Sequence, residues 1–244
     1  MTVVRVEQKV LNENQRIALE LRRRFAENEI LCLNFISSPG SGKTTLLEKT
    51  LASFAPETKV AVLTGDLQTE NDARRLARYG FPVQQIVTAG VCHLDGKMIE
   101  RHLEAWSLRD IDILFIENVG NLVCPSSYDL GEEAKIVLLS VTEGEDKPLK
   151  YPSIFLKSSL LVLTKTDLLP YVPFDIEAAK ANARQINPEI EILEVSCATG
   201  KGMDEWQTWL DRRRSRRTVG ASVGRAPKGS GISAEIGDRS QQQS

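Results

Sequence analysis

The stretch SSPGSGKTT, residues 37–45, decides the fold of this chain of 244 residues. It follows a short apolar run at 30–37 that is typical of a buried strand, and it leads into a helix predicted over 43–54. Its end, Gly42-Lys43-Thr44, fits the pattern G-x-x-x-x-G-K-[ST], although Ser37 replaces the first glycine. The order of strand, loop and helix favours a phosphate-binding loop over a glycine-rich turn with a surface lysine.

The chemistry of phosphate binding explains the residue types in this loop. Backbone N–H groups are expected to wrap a β-phosphate at the helix N-terminus, where the helix dipole favours an anion. Lys43 is expected to reach the β- and γ-phosphate oxygens, and the Thr44 hydroxyl to ligate Mg²⁺. The predicted phosphate-binding residues are Pro39, Gly40, Ser41, Gly42, Lys43, Thr44 and Thr45.

Strands and helices alternate along the chain. Continuous apolar runs predict strands at 30–37, 59–65, 83–88, 112–120, 134–144, 158–167 and 191–196, and helical patterns are found at 6–28, 43–54, 69–80, 95–106, 174–186 and 201–214. This alternation predicts an α/β fold, with a mostly parallel sheet covered by helices on both faces. The predicted parts are an N-terminal helix at 1–29 packed on the main domain, a nucleotide-binding domain at 30–214, and a disordered tail at 215–244 rich in Gly, Ser and Gln.

Bulk properties exclude several classes of function. The formal net charge is −2, so no nucleic acid or membrane partner is expected, and the run RRRSRR at 212–217 is interpreted as a solvated helix end. No apolar run reaches the roughly 18 residues of a membrane helix, and the N-terminus lacks an apolar signal-peptide core. The four cysteines are too widely spaced for a secreted disulfide framework. A cytoplasmic location is therefore predicted.

A second motif concerns the base of the nucleotide. TKTD, residues 164–167, matches the [NT]-K-x-D pattern of guanine-nucleotide-binding proteins. The Asp167 carboxylate can accept hydrogen bonds from N1–H and N2–H₂ of guanine, whereas adenine offers an acceptor at N1. The Lys165 stem can lie along the ring. In SCATGKG, residues 196–202, the backbone near Cys197 and Ala198 is expected to meet guanine O6. The motif favours GTP and argues against an ATP-using small-molecule kinase.

The remaining motifs carry a family resemblance. ENVGNLVCP, residues 117–125, follows a predicted strand, and GDLQTENDA (65–73) and VCHLD (91–95) precede it. Together with the phosphate loop, they resemble the hydrogenase nickel-incorporation GTPases, the HypB family in the metallochaperone branch of the P-loop GTPases. The resemblance spans about residues 28–210. It implies a GTPase, expected to be slow, that assists nickel insertion into the large subunit of [NiFe]-hydrogenase. It also implies three partners: a second copy of the chain, a HypA-type zinc and nickel accessory protein, and the hydrogenase large-subunit precursor.

The resemblance also assigns the soft metal ligands. It implies that Cys92, His93 and Cys124 form a metal site at a dimer interface. Thiolate and imidazole suit Zn²⁺ or Ni²⁺ and are poor ligands for Mg²⁺, and three ligands leave positions open for transfer. The alternatives are two small apolar residues or a disulfide. Many relatives carry an N-terminal Cys-rich or His-rich segment that is absent here, so high-affinity nickel binding at the N-terminus is not expected.

Three residues are the candidates for catalysis, namely Lys43, Asp66 and Glu117. Thr44, Asp66 and Glu117 are the candidate Mg²⁺ ligands, and GTP, Mg²⁺ and Ni²⁺ or Zn²⁺ are the expected ligands of the whole protein. The loops 66–72 and 117–125 are the predicted switches, because γ-phosphate and Mg²⁺ order such segments. Cys124 lies in the second loop, so we expect GTP to change the dimer and the nickel affinity.

Two rival functions share parts of this pattern. The urease nickel-insertion GTPases carry their metal on a Cys-Pro-His motif, whereas Cys124-Pro125 is followed here by Ser126. A nucleotide-bound, metal-binding scaffold without significant turnover is the rival from outside the enzymes. GTP turnover by the purified protein distinguishes this rival from a GTPase.

Overall fold

The computed structural model of the chain describes residues 2–66, 71–88 and 90–224. Its centre is a seven-stranded sheet in the order β3-β2-β4-β1-β5-β6-β7, in which all six strand pairs are parallel. The strands are β1 Leu31–Ser37, β2 Val60–Asp66, β3 Val83–Val87, β4 Ile113–Glu117, β5 Ala134–Ser140, β6 Leu160–Thr164 and β7 Glu191–Val195. The predicted α/β fold with a parallel sheet is confirmed.

Eight α-helices surround the sheet within the described ranges. They are α1 Thr2–Glu27, α2 Lys43–Ser53, α3 Asn71–Ala77, α4 Gly96–Leu103, α5 Lys147–Lys150, α6 Pro152–Lys157, α7 Ile176–Ile186 and α8 Met203–Gly224. The short helices α5 and α6 were not predicted, although Pro148 and Pro152 lie in their first turns, where proline is favoured. No helix in these ranges is long and apolar enough to cross a bilayer.

The C-terminal boundary differs from the prediction. The helix α8 continues to Gly224, whereas the predicted disordered tail begins at residue 215. The sequence RRRSRRTV at 212–219 contains no glycine or proline, and arginine is a good helix former, so the helix has no local reason to stop at 214. The rest of the predicted tail, 225–244, lies outside the described residues.

Apolar side chains cover both faces of the sheet. On one face, Leu46 of α2 and Trp206 of α8 pack over Phe35 and Phe115 of the two central strands. The fully buried Trp206 donates its indole N–H to Thr50 Oγ1 at 2.8 Å, so its one polar atom is paired inside the core. The other face is covered by α1 and α4 over one half and by α6 and α7 over the other.

The N-terminal helix α1 is fixed to the domain by packing and by polar contacts. Leu21 and Phe25 are fully buried in the core beside α4. Gly131 makes room for this helix, because a Cβ built there would lie 2.7 Å from Leu21 Cβ. Asn14 adds hydrogen bonds to the carbonyl of Asp129 (2.9 Å) and the amide of Gly96 (2.7 Å). The helix therefore braces the segments that flank the site described next.

The parallel strands place one set of loops at one edge of the sheet. The strands β1, β2 and β4 are neighbours, and Glu117 at the end of β4 lies in register with Phe35 of β1 and Thr64 of β2. The loops that leave these three strands therefore meet at the carboxyl edge, where open α/β sheets bind their ligands.

Candidate nucleotide and metal sites

The phosphate loop bends between β1 and α2 around two glycines. Gly40 and Gly42 have φ of 75° and 99°, left-handed values that glycine adopts without strain. A Cβ at either position would meet nothing within 4 Å, so the loop encloses open space. Ser41 Oγ donates to Glu143 Oε1 at 2.7 Å, and Thr164 Oγ1 donates to the Ser41 carbonyl at 2.7 Å. These contacts hold the loop from the β5 and β6 side.

The cavity enclosed by this loop measures 470 Å³ and is lined by charged side chains. It brings together six of the predicted phosphate-loop residues, Lys165, and the two acidic candidates Asp66 and Glu117. Lys165 follows β6 directly, and its Nζ donates a hydrogen bond to the Gly40 carbonyl at 2.7 Å. The one predicted phosphate-loop residue that does not line the cavity is Ser41, whose side chain points to Glu143 instead.

Buried charges lie at the bottom of the cavity. Thr44 Oγ1 donates to Glu117 Oε1 at 2.6 Å, and Lys43 Nζ donates to Ser37 Oγ at 2.9 Å. Burial raises the pKa of Glu117 to about 7 and lowers the pKa of Lys43, in spite of their mutual attraction. Among the described residues, the buried Glu117 Oε2 has no hydrogen-bond partner. A carboxylate oxygen of this kind fits a cation ligand.

The predicted base-binding residues lie beside the phosphate cavity. Asp167 Oδ1 accepts a hydrogen bond from Ser196 Oγ at 2.5 Å, which joins the TKTD motif to the loop after β7. Cys197 is partly buried, and burial raises the pKa of its thiol to about 11. Ala198 is exposed. Lys165 has φ of 59°, a left-handed conformation that turns the chain after β6 toward the phosphate loop. The structure thus brings both halves of the predicted guanine site together.

The two cysteines and the histidine also meet. One ligand atom from each of Cys92, His93 and Cys124 lies within 4.8 Å of the others. Cys92 Sγ donates a hydrogen bond to Cys124 Sγ at 2.8 Å, and neither cysteine forms a disulfide. The His93 ring stacks on Tyr128 with centroids 3.8 Å apart. Among the described residues, its buried Nδ1 has no hydrogen-bond partner.

The electrostatics of this cluster suit a soft metal. Burial lowers the pKa of His93, which keeps the imidazole neutral, the form that ligates metals. The hydrogen-bonded Cys92 thiol, together with burial, raises the pKa of Cys124. Its proton must therefore leave when a metal binds. The site combines two sulfur donors with one nitrogen donor on the surface of the domain.

Comparisons with known proteins agree with this combination. Residues 32–194 match the family model described as the CobW/HypB/UreG nucleotide-binding domain. The "Hydrogenase maturation factor HypB" of Escherichia coli (strain K12) is 53% identical over 212 residues, which are 87% of this chain and 73% of that protein. The chain belongs to the HypB family.

Two solved structures of HypB proteins share the fold. HypB from Archaeoglobus fulgidus is 40% identical with a TM-score of 0.78, and the match covers 83% of this chain and 99% of that one. HypB from Helicobacter pylori, in complex with nickel, is 41% identical with a TM-score of 0.78, covering 84% and 96%. The resemblance inferred from the motifs is thereby confirmed.

The structure also adds residues to this HypB-family site that the motifs did not reveal. Asp72 and Arg75 of α3 line the phosphate cavity, and the Arg75 guanidinium donates to Glu48 (2.6 Å) and Thr45 (3.3 Å). Asn118 and Gly120 line it from the loop after β4. GDLQTENDA and ENVGNLVCP contain three of the four, which lie within the predicted switch loops 66–72 and 117–125, although no ligand contact was predicted for them. Residues 67–70 of the predicted switch 66–72 lie outside the described residues.

A second cavity of 540 Å³ lies between α1 and the segment 126–133. Its charged groups pair with one another: Arg22 with Asp129 at 2.7 Å, and Lys135 with the buried Glu132. It shares no lining residue with the phosphate cavity, and none of the predicted site residues lines it. Its charges serve the attachment of α1 and the β4–β5 connection.

Proposed function

We propose that this protein is a GTP-hydrolysing nickel metallochaperone that assists nickel insertion into the large subunit of [NiFe]-hydrogenase. Family membership supports the maturation role, since relatives at about 50% identity over most of the chain are named hydrogenase maturation factors. Some relatives, at 42% identity, are named hydrogenase/urease maturation factors, so a shared role in urease maturation is the second candidate.

One observation carries the proposal. The loop that follows Glu117 lines the phosphate cavity with Asn118 and Gly120 and then carries Cys124 into the thiol–imidazole cluster. A nucleotide site and a soft-metal site thus share one short segment of chain. A GTP-driven metal carrier requires such a link, whereas a nucleotide-bound scaffold without turnover does not need its metal site joined to the phosphate cavity.

GTP hydrolysis needs a positioned water and neutralisation of the charge that develops on the phosphates. We assign the neutralisation to the backbone N–H groups of residues 39–45 and to Lys43, which exchanges its hydrogen bond with Ser37 for the β- and γ-phosphate oxygens. Asp66 and Glu117 line the same cavity, and one of them can orient the attacking water. Asp167 accepts the guanine N–H groups and selects GTP over ATP.

Mg²⁺ fits the acidic side of this cavity. The Thr44 hydroxyl and the two Glu117 oxygens form an oxygen donor set, and the unpartnered Glu117 Oε2 is already desolvated. Mg²⁺ held there with GTP would supply neutralisation of the charge that develops on the phosphates. We propose Asp66 as a further ligand.

Nickel is the cargo in this proposal, held by Cys92, His93 and Cys124, and Zn²⁺ suits the same donors. Val91 and Val123, exposed at 39% and 59%, border the cluster with apolar surface. We propose that this face meets a second copy of the chain, so that dimerisation and metal binding reinforce each other. The further proposed partners are a HypA-type accessory protein and the hydrogenase precursor, in the cytoplasm, where thiols stay reduced.

The two histidines of the chain offer a matched pair of variants. His93 belongs to the cluster, whereas His102 lies on α4 with its Nδ1 at 2.8 Å from the Met98 carbonyl. We expect His93→Ala to weaken nickel binding, measured by calorimetry, at least about tenfold, since a ligand is removed. His102→Ala should bind nickel like the wild type. Equal nickel affinity in all three proteins would refute the proposed cluster.

Turnover is tested separately. We expect the wild type to release phosphate from GTP in the presence of Mg²⁺, and Lys43→Ala to lose this release while keeping its nickel affinity in the absence of nucleotide. Light scattering with GDP and with a non-hydrolysable GTP analogue measures the mass of the protein in each nucleotide state, and therefore whether it is a monomer or a dimer. A wild type that binds GTP and nickel without releasing phosphate would favour the scaffold function instead.

A further inference from the structure

Two asparagines in the loop after β4 hold the metal-binding segment from both sides of His93. Asn118 Oδ1 accepts a hydrogen bond from the Leu94 amide at 3.2 Å. Asn121 Nδ2 donates to the Cys92 carbonyl at 3.2 Å. The backbone immediately before and immediately after His93 is therefore tied to the segment 118–121.

The Asn118 side chain has no freedom to turn. It is 1% exposed, and its Oδ1 also accepts from the Val119 amide at 3.0 Å. Its Nδ2 donates to Asn34 Oδ1 at 3.3 Å, and Asn34 in turn donates to the buried Glu132 at 3.2 Å. Since every polar atom of the Asn118 amide is engaged, a shift of its backbone must carry Leu94 along or break these bonds.

Asn121 joins the two cysteine segments to each other. Besides the Cys92 carbonyl, it contacts its own loop, because its Oδ1 accepts from the Val123 amide at 2.9 Å. Val123 is the residue immediately before Cys124. A movement of Asn121 therefore changes the position of one ligand relative to the other.

The other side of the same segment lies against the nucleotide cavity. Glu117 is bonded to Thr44 of the phosphate loop, and Gly120 packs on the loop so closely that a Cβ there would lie 3.0 Å from Pro39 Cα. The Leu94 side chain packs over Gly65, where a Cβ would lie 2.8 Å from Leu94 Cδ2. Gly65 also lines the nucleotide cavity, next to Asp66.

We propose that Asn118 and Asn121 are positioning residues that transmit the nucleotide state to the nickel site. Rearrangement of Glu117 and Gly120 on exchange of GDP for GTP moves the two amides, and these move Cys92 and His93 relative to Cys124. Neither asparagine is required as a ligand of nickel or nucleotide in this scheme. The inference rests on the proposed function, and it assigns the coupling between the two sites to two side chains.

The test measures coupling rather than affinity. Nickel dissociation constants are determined by calorimetry with Mg²⁺·GDP and with Mg²⁺ and a non-hydrolysable GTP analogue, and the ratio of the two is the coupling factor. We expect this factor to be about fivefold or more in the wild type, the usual range for coupled sites. In Asn121→Ala we expect a factor within about twofold of one, with the affinity for the GTP analogue unchanged, because only the amide link has been lost.

Two further variants complete the design. Asn118→Ala should also remove the coupling, and its thermal unfolding is checked by circular dichroism because it leaves buried amides without acceptors. Should it fail to fold, the partly exposed Asn121 decides the question alone. Asn182→Ala, which removes a hydrogen bond of 2.9 Å from α7 to the Glu145 carbonyl, is the matched control and should keep the wild-type factor.

The outcomes separate the two levels of the proposal. An Asn121→Ala protein that keeps the wild-type factor would overturn the role of this residue. A wild type that binds both ligands with a factor of one would overturn the coupling itself. A wild type that binds no nickel in either state would contradict the proposed function instead.

Discussion

Replacing Glu117 by glutamine changes how the stability of the nucleotide-free protein depends on pH. Burial raises the pKa of this carboxyl from its ordinary value of 4.5 to about 7. A group whose folded-state pKa is raised contributes stability that is fully present below the unfolded pKa and is lost as pH rises through the folded pKa. The contribution of Glu117 is therefore present at pH 4.5 and lost above pH 7.

The magnitude follows from the same values. A rise from 4.5 to about 7 corresponds to about 3.5 kcal/mol, at about 1.4 kcal/mol for each pH unit. Glu117→Gln keeps an oxygen that can accept from Thr44 but cannot ionise. The free energy of unfolding of the wild type minus that of the variant should therefore fall by about 2.4 kcal/mol between pH 5 and pH 7.5, because part of the change lies outside this range.

Urea unfolding followed by circular dichroism, without Mg²⁺ or nucleotide, measures this difference. Constant effects of the substitution, such as an unpartnered amide, cancel because only the change with pH is used. Glu189→Gln, at an exposed position, is the control for loss of a carboxylate, and its difference from wild type should stay constant. A difference for Glu117→Gln that varies by less than about 0.5 kcal/mol over this range would refute the reasoning.

Three other substitutions or conditions give independent tests. Cys92 and burial raise the pKa of the Cys124 thiol, so nickel must displace its proton. The apparent nickel affinity should therefore fall at least about tenfold for each unit by which the pH is lowered below about 8. Calorimetry in buffers of different ionisation enthalpy measures the number of protons released. Gly131→Ala places a Cβ 2.7 Å from Leu21 Cβ at a φ of +79°, so denaturant unfolding should show a loss of about 2 kcal/mol or more, whereas Gly80→Ala, also at positive φ but in open space, should cost less. Arg75→Ala removes a cation from the phosphate cavity and should weaken binding of a fluorescent GTP analogue by about tenfold, with Arg75→Lys in between; unchanged binding would exclude a role for this charge.

Local sequence was sufficient for the features that depend on adjacent residues. The phosphate loop, the TKTD motif and each strand occupy a few consecutive residues. Their backbone requirements, such as glycine at the two loop positions of positive φ, can be identified from the sequence. The parallel sheet followed from continuous apolar runs alternating with helices. The meeting of Cys92 with Cys124 was implied by the family resemblance, and it agrees with the rule that parallel strands end at one edge of the sheet.

Features that depend on contacts between distant residues were not predictable. Asn118 and Leu94 are 24 residues apart, and Asn34 and Glu132 are 98 apart, so nothing in the sequence indicates which amide faces which partner. Arg75 resembled any exposed helical arginine until α3 was placed beside α2. The end of α8 was missed for a different reason: a polar composition was interpreted as disorder, whereas helix propensity extends the helix.

The metal cluster offers three donors, all from partly exposed residues, and three donors would leave a coordination position open on an ion held there. An ion bound in this way is open to attack by an incoming sulfur or nitrogen ligand while the old bonds still exist. Transfer to a recipient can then proceed by stepwise ligand exchange, and its rate depends on the concentration of the recipient. Because release of nickel into water is not a necessary step, the protein can bind nickel tightly and still transfer it rapidly.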